Sequence, residues 1–225
     1  FNKELDFFDE KSFFKVITKL KKGNFCIDKS TCSIFEQNLI ASSFKILSRE
    51  DPIYLLKSIK NNNEIRNMVK SHILDGVALT KFLYWFKNKM INGTEKKVEK
   101  KLEDFRKKSN YYLYPSFDTI AGSGPNGAII HYRSNNLTNR KIKKNDILLI
   151  DSGGQYKWGT TDVTRTICNG KISLKIKNNF TRVLKGHISV ATCDLKKNYN
   201  GHLIDKLAWK SLNQIGLNYS HGTGH

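Results

Sequence analysis

The pattern of this chain predicts an α+β fold, and three observations carry that expectation. Apolar residues recur at three- and four-residue intervals from Ile65 to Phe86, the spacing of an amphipathic helix. Past residue 110 the period shortens to that of strands, culminating in the apolar run Ile147-Leu148-Leu149-Ile150. Helical spacing then returns from Asn178 to Ala191 and from His202 to Ile215.

Lys11 to Leu20 has helical periodicity, Gly23 breaks it, and Cys32 to Ser48 mixes strand-like and helical patterns. Asp51-Pro52 marks a boundary, because a residue before proline is pushed out of the helical region. Residues 1–50 therefore read as the remnant of one domain and residues 51–225 as part of another. In the second, Ile65, Met68, Val69, His72, Ile73, Gly76, Leu79, Leu83 and Phe86 outline a long helix. Asn92-Gly93-Thr94 ends it, and Thr94-Glu95-Lys96-Lys97 opens a charged helix through Phe105. Strands are expected at Tyr111–Tyr114 and Thr119–Gly122, followed by a turn at Gly124-Pro125-Asn126-Gly127. Ala128–Tyr132 is expected as a short strand. Asp146–Asp151 reads as a strand covered on both faces, continued antiparallel by Tyr156–Trp158 and Thr161–Cys168. Leu217-Asn218-Tyr219 is expected to begin a last strand.

The length of 225 residues suffices for a sizeable core, with 39% hydrophobic and 26% charged residues. No run approaches the roughly 18 apolar residues of a membrane helix, and no signal peptide opens the chain. The formal charge of +19 comes from 32 lysines and only 7 arginines, scattered throughout, beside 22 asparagines. Phosphate and base recognition favour the forked guanidinium, and no basic-aromatic stripe is present. Composition alone accounts for the charge, and nucleic acid is not expected as a partner. Four cysteines, Cys26, Cys32, Cys168 and Cys193, lack paired ligand spacing and read as free thiols of a reducing compartment.

Two carboxylates and a cluster of histidines carry the chemistry. Asp151 ends the buried run, where an unpaired carboxylate costs several kcal/mol; alone it reads better as a solvated strand end. Asp162, in Thr161-Asp162-Val163-Thr164, changes that reading, since alternation puts it opposite Val163 and a hairpin could bring both carboxylates to one point. Gly153, Gly154 and Gly159 would allow the bends. Like charges repel, and a divalent cation, or two, would turn the pair into an anchor. His221-Gly222-Thr223-Gly224-His225 reads as extended, so that one imidazole can ligate while the other handles a proton or a developing charge. His131 is a third candidate; taken alone it reads as a surface histidine. The glycines form neither a phosphate loop nor a dinucleotide fingerprint.

Four ordered segments, Ala121–Tyr132, Leu149–Tyr156, Gly159–Thr166 and His221–His225, with the carboxylates eleven residues apart, closely resemble the eukaryotic Xaa-Pro aminopeptidases. Val183–Ile188 and Gly201–Asp205 extend the match, which covers about residues 51–225. This aminopeptidase P family has the pita-bread fold shared with methionine aminopeptidase, prolidase and creatinase. The resemblance implies hydrolysis of the bond between an N-terminal residue and a following proline, by attack of a hydroxide bridging two divalent metals, usually manganese. It implies that Asp151, Asp162 and His225 are metal ligands and that His131 and His221 stand on the substrate side. Two glutamate ligands and a third substrate-side histidine belong to later motifs absent from this sequence. The fold is thus expected to be incomplete at the C-terminus and the fragment inactive by itself. The resemblance further implies a cytoplasmic homodimer acting on small peptides, with no membrane partner. A prolidase or methionine aminopeptidase type, or a non-catalytic binding protein of the same fold, is the alternative.

Overall fold

The computed structural model describes residues 7–90, 92–197 and 200–224. The chain forms two compact units that divide between Asn62 and Asn63.

In the first unit, α1 (Phe13–Lys19) precedes β1 (Asn24–Ile27), α2 (Ile34–Ala41), β2 (Lys45–Ser48) and α3 (Pro52–Ser58). Strands β1 and β2 are parallel, with Phe25 opposite Ile46, and α2 supplies the crossover that a parallel pair requires. The mixed pattern of residues 32–48 is thus a helix followed by a strand. A reciprocal capping box, Ser33 with Glu36, starts α2. Ile17, Ile27, Ile40 and Phe44 form the core of this unit. Asp51-Pro52 starts a helix: Asp51 accepts from the Ile53 amide at 2.9 Å, and Pro52 occupies the first turn, where its missing N–H is no loss.

The second unit is built on α4 (Asn62–Lys89) and α5 (Glu95–Arg106). Helix α4 buries Ser71, Asp75, Ala78, Leu79, Phe82 and Phe86, one stripe at helical spacing. Helix α5 starts at the Thr94 cap and buries Glu95, Val98, Leu102 and Arg106. The strands are β3 (Tyr112–Pro115), β4 (Ile120–Ser123), β5 (Ile147–Ser152), β6 (Gly154–Tyr156), β7 (Gly159–Thr160) and β8 (Val163–Cys168). They make two antiparallel three-stranded sheets, ordered β4-β5-β8 and β3-β6-β7. Leu79, Phe82 and Phe86 of α4 and Val98 and Leu102 of α5 close over Ala121, Leu148 and Ile150 of the first sheet. Only one face of β5 is fully buried; Ile147, Leu149 and Asp151, on the other, are half-buried.

Helices α6 (Leu174–Ala191) and α7 (Gly201–Asn213) pack backbone to backbone, since a β-carbon on Gly186 would lie 2.3 Å from the Ala208 carbonyl oxygen. No described helix is long and apolar enough to cross a membrane.

Two expected strands are not found among the described residues. Residues 124–128 form a 3₁₀ turn, and the chain then bends through His131, leaving Ile129 and Ile130 half exposed. Pro125 favours that turn, and Asn126 is tied into a buried polar cluster that pulls the segment off an extended path. Residues 217–219 find no partner strand, and an apolar alternating segment without a ladder has no reason to stay a strand.

Candidate metal and substrate site

The site begins with the register of β5 and β8. Asp151 stands opposite Thr164, and Ser152 opposite Val163. The Thr164 hydroxyl donates to Asp151 Oδ1 at 2.7 Å, so these two side chains share the outer face of the sheet. Val163 and Ile167 pack on the opposite, core side. Asp162 lies two residues before Thr164, just ahead of β8, at the position diagonal to Asp151. Diagonal cross-strand positions lie about 7–8 Å apart at the backbone, close enough for two carboxylates to converge on shared cations.

Of the ten residues between the aspartates, 153–161 leave this sheet around the β6-β7 hairpin, which pairs with β3. The neck of that excursion is tightly pinned. The Gly154 amide donates to Thr161 Oγ1 at 2.9 Å, and the Thr161 amide donates back to the Gly154 carbonyl at 2.9 Å. The Ser116 hydroxyl donates to the Thr161 carbonyl at 2.9 Å. A β-carbon on Gly153 would stand 2.0 Å from that carbonyl oxygen and 2.2 Å from Ser116 Oγ, so only glycine fits.

Beneath the sheet lies a buried ion pair. Arg106 Nε donates to Asp75 Oδ1 at 2.6 Å and Nη2 to Asp75 Oδ2 at 3.2 Å, with both side chains essentially inaccessible. Nη2 also donates to Ser152 Oγ at 3.1 Å, and the Tyr156 hydroxyl donates to Asp75 Oδ1 at 2.9 Å. Burial, followed by the Asp75 charge and hydrogen bond, pushes the Tyr156 hydroxyl well above the ordinary tyrosine range. The pair thus grips the core side of the strand whose outer side carries Asp151.

The histidines stand differently. His131 is exposed, with a left-handed backbone at φ 53°. Its loop folds back on β4 and β5: a β-carbon on Gly122 would lie 2.8 Å from the Asn126 oxygen and from Gly127, and Leu149 faces Gly127. The His221 ring stacks on Tyr219 at 4.6 Å, and Tyr219 in turn packs on Trp209 at 4.7 Å. His221 Nδ1 lies 2.7 Å from the Gly222 oxygen, and the Thr223 hydroxyl bonds Asp205. His221 therefore lines a cavity of about 1090 Å³ between α6, α7 and the segment after them. His225 lies outside the described residues. Among the described residues no group of three or more His, Cys, Asp or Glu side chains is placed to hold a metal ion. The register places Asp151 within the β5–β8 pair and Asp162 one residue before β8.

A model for metallopeptidase family M24 matches residues 66–225. The chain belongs to that family. Among its relatives, Xaa-Pro aminopeptidase ApepP of Drosophila melanogaster is 44% identical over 198 residues, 86% of this chain and 32% of its own length. Xaa-Pro aminopeptidase 1 of Dictyostelium discoideum is 42% identical over 186 residues, 80% of this chain and 30% of its own. Among solved structures, the X-prolyl aminopeptidase of Caenorhabditis elegans, described as a cytosolic enzyme with a di-nuclear active site, superposes with a TM-score of 0.73. It is 33% identical, across 82% of this chain and 30% of that one. The prolidase of Thermococcus sibiricus gives 0.72 at 25% identity, across 92% of this chain and 55% of that one. The chain has the mixed α/β, pita-bread fold, is similar in sequence to Xaa-Pro aminopeptidases, and spans about a third of the length of the curated relatives it matches.

Behind the β5–β8 sheet stand buried polar residues that sequence pattern alone does not single out. Glu95 was visible only as the opening of a charged helix. Asp75 and Arg106 carried a usable signal: both lie in phase with the apolar stripes of α4 and α5, and a charge on a buried stripe implies a partner.

Proposed function

We propose that the protein of which this chain is part is a dinuclear, metal-dependent aminopeptidase that releases the first residue from peptides with proline second. The observation that supports this reading is the β5–β8 register, with Asp162 immediately before β8 and diagonal to Asp151, in a chain 44% identical over 198 residues to an Xaa-Pro aminopeptidase. The residues present fit hard divalent cations. Asp151 makes no ion pair among the described residues, and its bond from Thr164 occupies Oδ1, leaving Oδ2 for a ligand. Carboxylate oxygens suit manganese, the metal we expect. Asp151, Asp162 and His225 would hold two such ions, and further ligands would come from outside this sequence. When bound, the cations supply Lewis acidity and a water acidified towards neutral pH.

The chain's own residues would then position and stabilise. His131 and His221 would stand on the substrate side, steadying the proline-side amide or the oxygen on which charge develops, a role worth about 2–4 kcal/mol for a single oxyanion donor. Residues 1–50 would be the end of a preceding domain and 51–225 the first part of the catalytic one. Cytoplasmic location and a homodimer complete the reading; the Caenorhabditis elegans relative is described as cytosolic.

The test is hydrolysis of Xaa-Pro-Yaa tripeptides by the full-length protein, stripped of metal and then restored with manganese. Release of the first residue only after restoration is expected. Equal cleavage of Met-Ala peptides would contradict the substrate class, activity confined to Xaa-Pro dipeptides would favour a prolidase, and unchanged activity without metal would contradict the mechanism.

A further inference from the structure

Glu95, the first residue of α5, is fully buried, and no lysine, arginine or histidine pairs with it among the described residues. Its charge is held by hydrogen bonds instead. Oε1 accepts from the Ser123 amide at 2.8 Å and from Asn126 Nδ2 at 3.0 Å. Oε2 accepts from the Tyr132 hydroxyl at 2.8 Å and from the Arg140 amide at 2.9 Å. Four donors fill the four lone-pair positions of a carboxylate, and the start of α5 adds favourable helix-dipole potential. Burial, with the Glu95 charge adding to it, raises the Tyr132 hydroxyl above its ordinary value, so Tyr132 stays a donor.

The order of these donors along the chain is informative. Ser123 and Asn126 precede His131, Tyr132 follows it directly, and Arg140 ends the return to α5. Within this span Ile129 and Ile130 are 54% and 51% exposed, and the buried side chain is Tyr132, whose hydroxyl ends on Glu95. His131 holds a left-handed backbone that a side-chain-bearing residue seldom adopts unaided. One buried carboxylate thus binds the loop at three residues, Ser123, Asn126 and Tyr132.

We propose that Glu95 is a positioning residue that presents His131 to substrate by clamping residues 123–132. The inference rests on the substrate-side role given to His131 under the proposed function. It assigns Glu95 no contact with substrate or metal. Glu95→Gln would replace one acceptor by a donor. Whichever way the amide turns, an N–H₂ then faces at least one backbone N–H, of Ser123 or of Arg140. Tyr132→Phe removes a single donor and leaves the other three, a milder version of the same lesion.

The test uses full-length protein and two readouts. In hydrogen exchange followed by mass spectrometry, Glu95→Gln should speed exchange in residues 123–132 by tenfold or more, with β5 and α4 unchanged. Tyr132→Phe should give a smaller rise in the same segment. On an Xaa-Pro peptide, Glu95→Gln should lower kcat/KM roughly 10- to 100-fold, and should have almost no further effect in a His131→Ala background. A generally structural role would instead give additive losses and faster exchange throughout the unit. Either of those results, or a loop whose exchange is unmoved in both variants, overturns the proposal. Should Glu95→Gln fail to fold, Tyr132→Phe decides by the same exchange criterion. Wild-type protein inert towards Xaa-Pro peptides would defeat the proposed function, while the exchange comparison would still decide whether the clamp exists.

Discussion

Arg106→Met is the substitution whose consequence can be worked furthest from the structure. It removes two hydrogen bonds from Asp75 and one from Ser152, leaving Asp75 inaccessible to water with only the Tyr156 hydroxyl as partner. Breaking one side of a buried ion pair typically costs 3–5 kcal/mol, mostly from stranding the remaining charge. The methionine replaces much of the aliphatic stem, so the lost packing is a minor addition. At about 2–4 °C per kcal/mol for a unit of this size, the melting temperature should fall by roughly 6–20 °C. Removing both charges together, as Asp75→Leu with Arg106→Met, should recover most of that loss, because no charge is then left unpaired. Urea unfolding followed by tryptophan fluorescence measures all three variants against wild type. A loss under about 1 kcal/mol for Arg106→Met alone, or a double variant as unstable as the single one, would refute the argument that this pair holds the core side of β5.

Gly153→Ala should destabilise by about 1–3 kcal/mol or more, since its β-carbon meets backbone at 2.0 Å. It should also weaken manganese binding by splaying Asp162 from Asp151, which calorimetric titration of metal would show. Alkaline pH should destabilise the fold: Tyr132 and Tyr156 keep their protons in the folded state above the ordinary tyrosine value of 10.0, whereas the unfolded chain releases them. Stability is therefore fully present below pH 10 and falls as pH rises beyond it, by up to about 1.4 kcal/mol per pH unit for each such tyrosine; urea midpoints at pH 9 and 11 check this. Thr164→Val, which removes the donor to Asp151, should lower manganese affinity roughly tenfold with little change in melting temperature, and unchanged affinity would show that the hydroxyl does not orient the carboxylate.

The helices and the central strands were legible because one physical rule governed each. The pattern places α4 and β5 as elements, but not all of their buried faces: of the α4 stripe only Leu79 and Phe86 are buried, Ile65, Met68, Val69 and Ile73 are exposed, and β5 is fully buried on one face rather than both. Residues 128–132 were misread as a strand for a definite reason. Ala128-Ile129-Ile130 has strand-like composition, but the segment's course is set by Glu95, 31 residues before Asn126, and no local pattern reports that tether. Residues 217–219 show the complementary difficulty, since an extended segment needs a partner and none pairs with it among the described residues. The expected pairing of the aspartates rests on period-two alternation and on the glycines between them, of which Gly153 sits where no β-carbon fits. The shell that holds them, Asp75 with Arg106 on one side and Ser116 with Thr161 on the other, joins residues distant in sequence. Such pairs become visible only when the elements are docked.

The measurement that tests the account most directly is the metal content of the full-length protein and its Asp162→Asn variant, by mass spectrometry after equilibration with manganese and removal of the free ion. The account predicts two ions per chain in the wild type, in keeping with the di-nuclear centre of the Caenorhabditis elegans relative. It predicts substantial loss from the variant, with the fold intact by circular dichroism. Equal manganese in both proteins, or none in either, would contradict the claim that the β5–β8 register builds a metal site.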